Sequence, residues 1–144
     1  MTKKLRPRVV RAAGTTILLP PNTHIERMED LDKIFKAQED TGYQERHSDT
    51  LIVATYKGTR YAIIIEDTGV PEPKDFERLA SMVKELVARG LIPRETIVIK
   101  LIHHTGIKRG KSLLTNIARS YRVELKECRN APVNLTTLLT RLAT

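Results

Sequence analysis

Tryptophan is absent from this chain, and four tyrosines and two phenylalanines are all its aromatic surface. A broad stacking platform for unpaired bases is therefore not expected. The single cysteine, Cys128, excludes an internal disulfide and leaves no thiolate-rich zinc site. It reads as structural. No apolar run approaches the roughly 18 residues that a membrane helix needs. The basic start "MTKKLRPRVVRAAG" carries no signal-peptide hydrophobic region, so a cytoplasmic (intracellular) location is the default expectation. Acidic residues are missing from two stretches. Residues 1–11 hold five basic side chains and residues 100–122 hold six, with no acid in either.

Between these zones, residues 26–49 hold eight acids against four bases. The 144 residues suffice for one domain, and the formal net charge is +8. Basic zones of this kind suit a phosphate polymer. With so few aromatics, contact with a nucleic-acid backbone fits better than contact with bases. An ordinary soluble surface is compatible with the same net charge.

Hydrophobic periodicity gives the expected elements. "RPRVVRAAGTTILLPPN" contains one or two short strands, so residues 1–22 read as a basic N-terminal strand or arm, and residues 23–144 as a compact domain. Thr23 to Glu26 resemble a capping box, and Ile25, Met28, Leu31, Phe35 and Gln38 recur at helical spacing. A helix is expected over about 24–39. "GYQERH", "DTLIVAT" and "YAIIIED" read as a three-stranded meander over 42–67, with "YKGTR" turning the last pair. A helix follows Pro71 and Pro73 and stops at Gly90, with Phe76, Leu79, Val83 and Leu86 on its apolar face. Then come a strand "ETIVIKLI", a helix "SLLTNIARSY", an edge strand "RVELKEC" and a last helix capped by Asn134. The expected fold class is α/β: a single-domain mixed sheet flanked by helices.

"HHTGIKRGKSLL" tests a nucleotide-binding reading. A strand leads into it and a helix leaves it, as in a P-loop. Only three residues separate Gly106 from Gly110 where a P-loop needs four. The 32 residues after Ser112 offer no apolar strand ending in an Asp that could hold magnesium. ATP is not the expected ligand. Lys108, Arg109 and Lys111 instead cluster near a helix start, where amides and the helix dipole favour an anion. His103, just before, is a further phosphate-contact candidate. His103 and His104 are adjacent on a strand, so they point to opposite faces and make a poor joint metal site. A structural or surface role suits these two, and His24 and His47, better.

The carboxylates give the strongest geometric deduction. Asp49 begins one strand and Glu66-Asp67 end the next, and the turn between them is tight. Antiparallel pairing brings Asp49, Glu66 and Asp67 to one sheet edge. Such carboxylates suit Mg²⁺ or Mn²⁺, and a metal there would activate water against a phosphodiester. Acids also sit at strand ends without any such role.

With "SDTLIVATYKGTRYAIIIEDT" in view, residues 24–103 resemble the restriction-endonuclease-like PD-(D/E)xK core, a superfamily that includes archaeal Holliday-junction resolvases. Ser48-Asp49 resembles the Pro-Asp half of its motif, and Glu66-Asp67-Thr68 the second half up to its last residue. Members often add an acid from the first helix or just after it; Glu29, Glu39 and Glu45 are the choices here. The resemblance implies a metal-dependent DNA endonuclease with Asp49, Glu66 and Asp67 as catalytic and metal-holding acids. It also implies a lysine where this chain has Thr68. Lys74, on the next helix, is the substitute cation within reach. Some members shift that lysine, and others have lost catalysis and keep a binding role.

Two readings compete: a resolvase-type nuclease using Mg²⁺ or Mn²⁺, and a noncatalytic nucleic-acid-binding or assembly protein that needs no cofactor. A structural protein with a basic assembly surface is a third. A homodimer is compatible with each.

Overall fold

The computed structural model describes residues 6–12, 15–31, 48–67, 70–104, 110–127 and 132–142. For Ala12, Thr15, Ser48, Asp49, Asp67, Lys111, Lys126 and Glu127 it describes the backbone alone. Eight strands and three helices occur among these residues: β1 (Arg8–Ala12), β2 (Thr15–Leu19), β3 (His24–Asp30), β4 (Ser48–Tyr56), β5 (Thr59–Asp67), α1 (Pro73–Ala88), β6 (Ile97–His104), α2 (Lys111–Tyr121), β7 (Val123–Glu127), β8 (Val133–Asn134) and α3 (Thr136–Leu142).

The main sheet has five strands in the order β3-β4-β5-β6-β7. β3, β4 and β5 pair antiparallel, while β5, β6 and β7 run parallel. The β4–β5 hairpin turns on Lys57 and Gly58, with φ of 49° and 77°. Two consecutive positive φ values are what a two-residue hairpin loop of type I′ requires, and that twist keeps the strands paired. The two parallel crossovers are the helical segments α1 and α2, as parallel strands demand.

Alternation along the strands separates two cores. Leu51, Val53, Ala62, Ile64 and Ile102 face α1 and α2, where they meet Phe76, Leu79, Leu86, Leu114 and Ala118. Ile52, Ala54, Ile63, Ile65 and Leu101 face the other way, onto Ile17, Leu19, Val133 and the α3 residues Leu138 and Leu139. β1, β2 and β8 form the small sheet over that second face, with β2 and β8 parallel. The central strands are covered on both sides, which is why "TLIVAT" and "YAIII" are near-continuous apolar runs. Each fully buried Ile or Leu there contributes about 1.5–3 kcal/mol of transfer free energy.

The expected helix over 24–39 is corrected at its first half: residues 24–30 form strand β3. The register with β4 shifts between Ile25 and Arg27. That bulge inserts one extra residue, so Ile25, opposite Ala54, and Met28, opposite Ile52, share a face although three positions apart. A bulged strand therefore imitates helical spacing. Thr23 does not cap a helix; its hydroxyl donates to the Pro20 carbonyl at 2.7 Å and closes a turn. The expected strand over 42–47 and the rest of the expected helix, 32–39, lie outside the described residues. The last two strands of the expected meander are β4 and β5, and the strand paired on the other side of β4 is β3.

Other elements match their sequence signals. Gly90, at φ 73°, ends α1, and the Leu91 amide reaches back to the Leu86 carbonyl at 2.9 Å. β7 lies at the sheet edge. Asn134 acts on α3, its Oδ1 accepting from the Thr136 amide at 3.0 Å.

Candidate functional site

Strand direction gathers the polar residues at one end of the main sheet. β5, β6 and β7 end there, and β4 begins there. In register, Asp49 lies opposite Glu66, which is beside Ile102. One position on, Ser48 lies opposite Asp67, which is beside His103, itself beside Lys126. His104 is beside Glu127. In open sheets with parallel strands, this carboxyl end is where ligands bind. The basic segment also leaves from this end. It departs after His104 and returns at Gly110, where α2 begins with Lys111. Residues 105–109, with Lys108 and Arg109, lie outside the described residues, as do the side chain of Lys111 and residue Thr68. Cys128, Glu39, Glu45 and His47 lie outside them as well.

Alternation divides the candidates. Glu66 follows Ile64 by two and Asp49 precedes Leu51 by two, so both positions belong to the set that faces the helices. His104 belongs to this set through Ile102. Asp67 and His103 belong to the other set, through Ile65 and Leu101. His103 and His104 are both buried, at 8% and 4% exposure. Glu29, on β3, is opposite Leu51, and its Oε1 is 3.9 Å from Arg27 Nε.

Glu66 is the most enclosed acid of the group, at 1% exposure. Its carboxylate is in contact with the Arg78 guanidinium of α1. The same Arg78 nitrogen, Nη2, is 3.7 Å from Asp75 Oδ1. Asp75 is itself 3% exposed, and its other oxygen, Oδ2, accepts the Glu72 amide at 2.7 Å. The local sequence explains this arrangement. Pro73 sets φ in the first helical turn, where its missing amide costs nothing. Asp75 then serves as the acid that reaches back to the helix start. Arg78, three residues on, stands beside it on the same face. The α1 apolar stripe, Phe76, Leu79 and Leu86, docks onto the sheet.

Arg78 and Asp75 were not among the residues that the sequence pointed to. The available signal was Asp-x-x-Arg in the first turns of a helix just after an acidic strand end. Lys74, the expected cation, is largely exposed, and its Nζ is 3.3 Å from Glu72 Oε2.

The donor set can be tested against a divalent cation. Mg²⁺ and Mn²⁺ need several oxygen ligands around one point. Among the described residues, no group of three or more His, Cys, Asp or Glu side chains is placed to hold a metal ion. The one enclosed acid at the strand end whose side chain is described is already matched by a guanidinium. As arranged, Glu66 does not fit a divalent ion.

Two charges elsewhere are shifted. Burial lowers the Lys100 ammonium from its ordinary range, and the nearby Arg122 charge lowers it further. Glu26 is exposed. Partial desolvation raises its carboxyl, but hydrogen bonds from Thr55 and Arg60, with the charges of Arg60 and His24, outweigh that and lower it. The N-terminal basic strand is accessible at Arg6, Arg8 and Arg11, with Arg8 Nη1 donating to the Thr23 carbonyl at 3.0 Å.

The chain is thus an α/β protein whose mixed sheet is flanked by helices, in the order hairpin, helix, strand, helix, strand. No family model and no curated protein matches the sequence. The backbone is distantly similar to a solved structure of EndoMS in apo form, with TM-score 0.47 and 10% identity. The similarity covers 78% of this chain and 41% of that one. Among the described residues, no helix is long and apolar enough to cross a membrane.

Proposed function

We propose that this is a nucleic-acid-binding protein of nuclease-like architecture, gripping backbone phosphates, of DNA in the first instance, at the carboxyl end of its main sheet. The observation that carries the reading is topological. Strand β6 ends at His104, at the same sheet end that holds the Asp49–Glu66 pair, and the acid-free residues 105–111 follow it. Lys108, Arg109 and Lys111 supply the cations, with His103 at the root of the segment. The test is anisotropy of labelled linear and branched DNA over a salt series, in EDTA. Changing Lys108, Arg109 and Lys111 together to Ala should weaken binding to every sequence alike. It should also cut the slope of log K against log salt by about 2.7, at roughly 0.9 per phosphate contact. An unchanged slope would overturn the assignment of the segment.

The Asp49–Glu66 register favours a second reading, a Mg²⁺- or Mn²⁺-dependent endonuclease that hydrolyses phosphodiesters. That reading assigns the metal to Asp49, Glu66 and Asp67 and the positive charge near the attacking water to Lys74, and it requires Arg78 to leave Glu66 and the strand end to rearrange so that Asp67 joins the other two acids. Asp49→Asn should then abolish cutting and leave DNA binding intact. Absence of metal-dependent cleavage of branched, linear and single-stranded DNA would exclude it.

A further inference from the structure

We infer that Arg78 is a built-in counterion that takes the place of a divalent metal at Glu66. The inference deepens the nuclease-like reading of the strand end, on which it rests. It is independent of phosphate binding by the basic segment.

Three observations support it. First, one guanidinium nitrogen serves two carboxylates: Nη2 touches Glu66 and lies 3.7 Å from Asp75. A single positive group between two acid oxygens is the arrangement that a bound cation would adopt. Second, both acids are buried, at 1% and 3% exposure, where a carboxylate stays ionised only with a paired charge or hydrogen bonds. Third, Arg78 is held by the fold itself. It projects from α1, whose apolar face is packed on the same side of the sheet as Glu66. Its Nε and Nη2 are buried with the Glu66 carboxylate, although the side chain as a whole is 25% exposed.

The consequence is a site in which one guanidinium is shared by two carboxyl groups without metal. A hydrated Mg²⁺ or Mn²⁺ approaching Glu66 meets a fixed positive charge, and it must lose water and expel the guanidinium to bind. A guanidinium is always charged, so no pH short of unfolding removes it. The position that the nuclease motif gives to lysine holds Thr68 here. The positive charge has in effect moved to α1 and onto the carboxylate itself.

The experiment is a Mn²⁺ titration of the full chain in the absence of nucleic acid. Free Mn²⁺ is read by electron paramagnetic resonance, and the thermal midpoint is read in parallel. The wild type should show no Mn²⁺ binding that Glu66→Gln removes. Arg78→Met should bind Mn²⁺ at least about tenfold more tightly than wild type. It should also gain in thermal midpoint with Mn²⁺, and both gains should vanish in Glu66→Gln/Arg78→Met. If Arg78→Met fails to fold without metal, Arg78→Lys, which keeps a charge but not the planar fork, provides the second arm: it should fold and remain indifferent to Mn²⁺. Wild-type Mn²⁺ binding that depends on Glu66 would overturn the proposal. So would an Arg78→Met variant that folds and gains no affinity. Loss of DNA binding in EDTA by the wild type would sink the proposed function and leave these outcomes unaffected.

Discussion

The Glu66–Arg78 contact can be weighed by a double-mutant cycle. Arg78→Met removes the guanidinium that contacts the Glu66 carboxylate. Glu66 is 1% exposed, so solvent cannot stand in. Deleting one partner of a buried pair costs about 3–5 kcal/mol, because the other charge stays buried and uncompensated. The contacting Nη2 is buried although the Arg78 side chain as a whole is 25% exposed, so a cost of at least about 3 kcal/mol applies. Glu66→Gln is less costly, at about 1–2 kcal/mol. The amide keeps the shape and an acceptor, and Arg78 keeps Asp75 and some water. The double variant carries no unpaired charge at Glu66, so its cost should fall below the sum of the singles by about 2 kcal/mol. At roughly 2–4 °C per kcal/mol for a domain of this size, Arg78→Met alone should lower the melting midpoint by about 6–12 °C. Urea unfolding of the four proteins at neutral pH, followed by circular dichroism, measures all four corners. An Arg78→Met variant within about 1 kcal/mol of wild type would refute the reasoning, as would strict additivity.

Two further outcomes follow from local features. Lys100 has a folded pKa below its unfolded value, so the unfolded chain binds more protons between the two, and stability rises with pH through that alkaline window. Lys100→Met should therefore be more stable than wild type at neutral pH, with an advantage that narrows as pH rises toward about 10; an advantage that does not narrow in paired urea titrations refutes it. Gly58 sits at φ 77° with open space where a Cβ would point, so Gly58→Ala tests backbone strain alone. It should cost about 1 kcal/mol in thermal unfolding, and no loss would show that the turn is not left-handed at that residue.

Much of the fold was legible, and the exceptions have physical causes. The β4–β5 hairpin is written in two apolar runs around Lys-Gly, and the end of α1 in Gly90. Strand β3 was misread because its bulge at residues 25–27 spaces same-face apolar residues by three. β8 has two residues, too few for any periodicity, and is defined by its partner β2. At the site, the Asp49–Glu66 pairing was deducible because a tight turn fixes register. The Arg78 contact was not, because it depends on how α1 is rotated on the sheet. That rotation is set by where Phe76, Leu79 and Leu86 dock, not by any motif near the acid. Lys74 was the natural guess from chain proximity, and it points at Glu72.

Both proposed readings use the same sheet end. Three parallel strands finish there, and each must be followed by a connection that crosses the mouth of the sheet. One such connection is acidic at its start and leads through α1 to Arg78; the next is the basic segment that leads to α2. A nuclease needs the first to leave its carboxylates open to a metal and the second to hold the strand being cut. Here the second requirement is compatible with the chain's charge, while the first conflicts with the buried contact between Arg78 and Glu66. Under the two proposed readings, binding and cleavage would therefore rest on two different connections. Changes at Arg78 should act on metal and stability, and changes at Lys108, Arg109 and Lys111 on affinity and salt dependence.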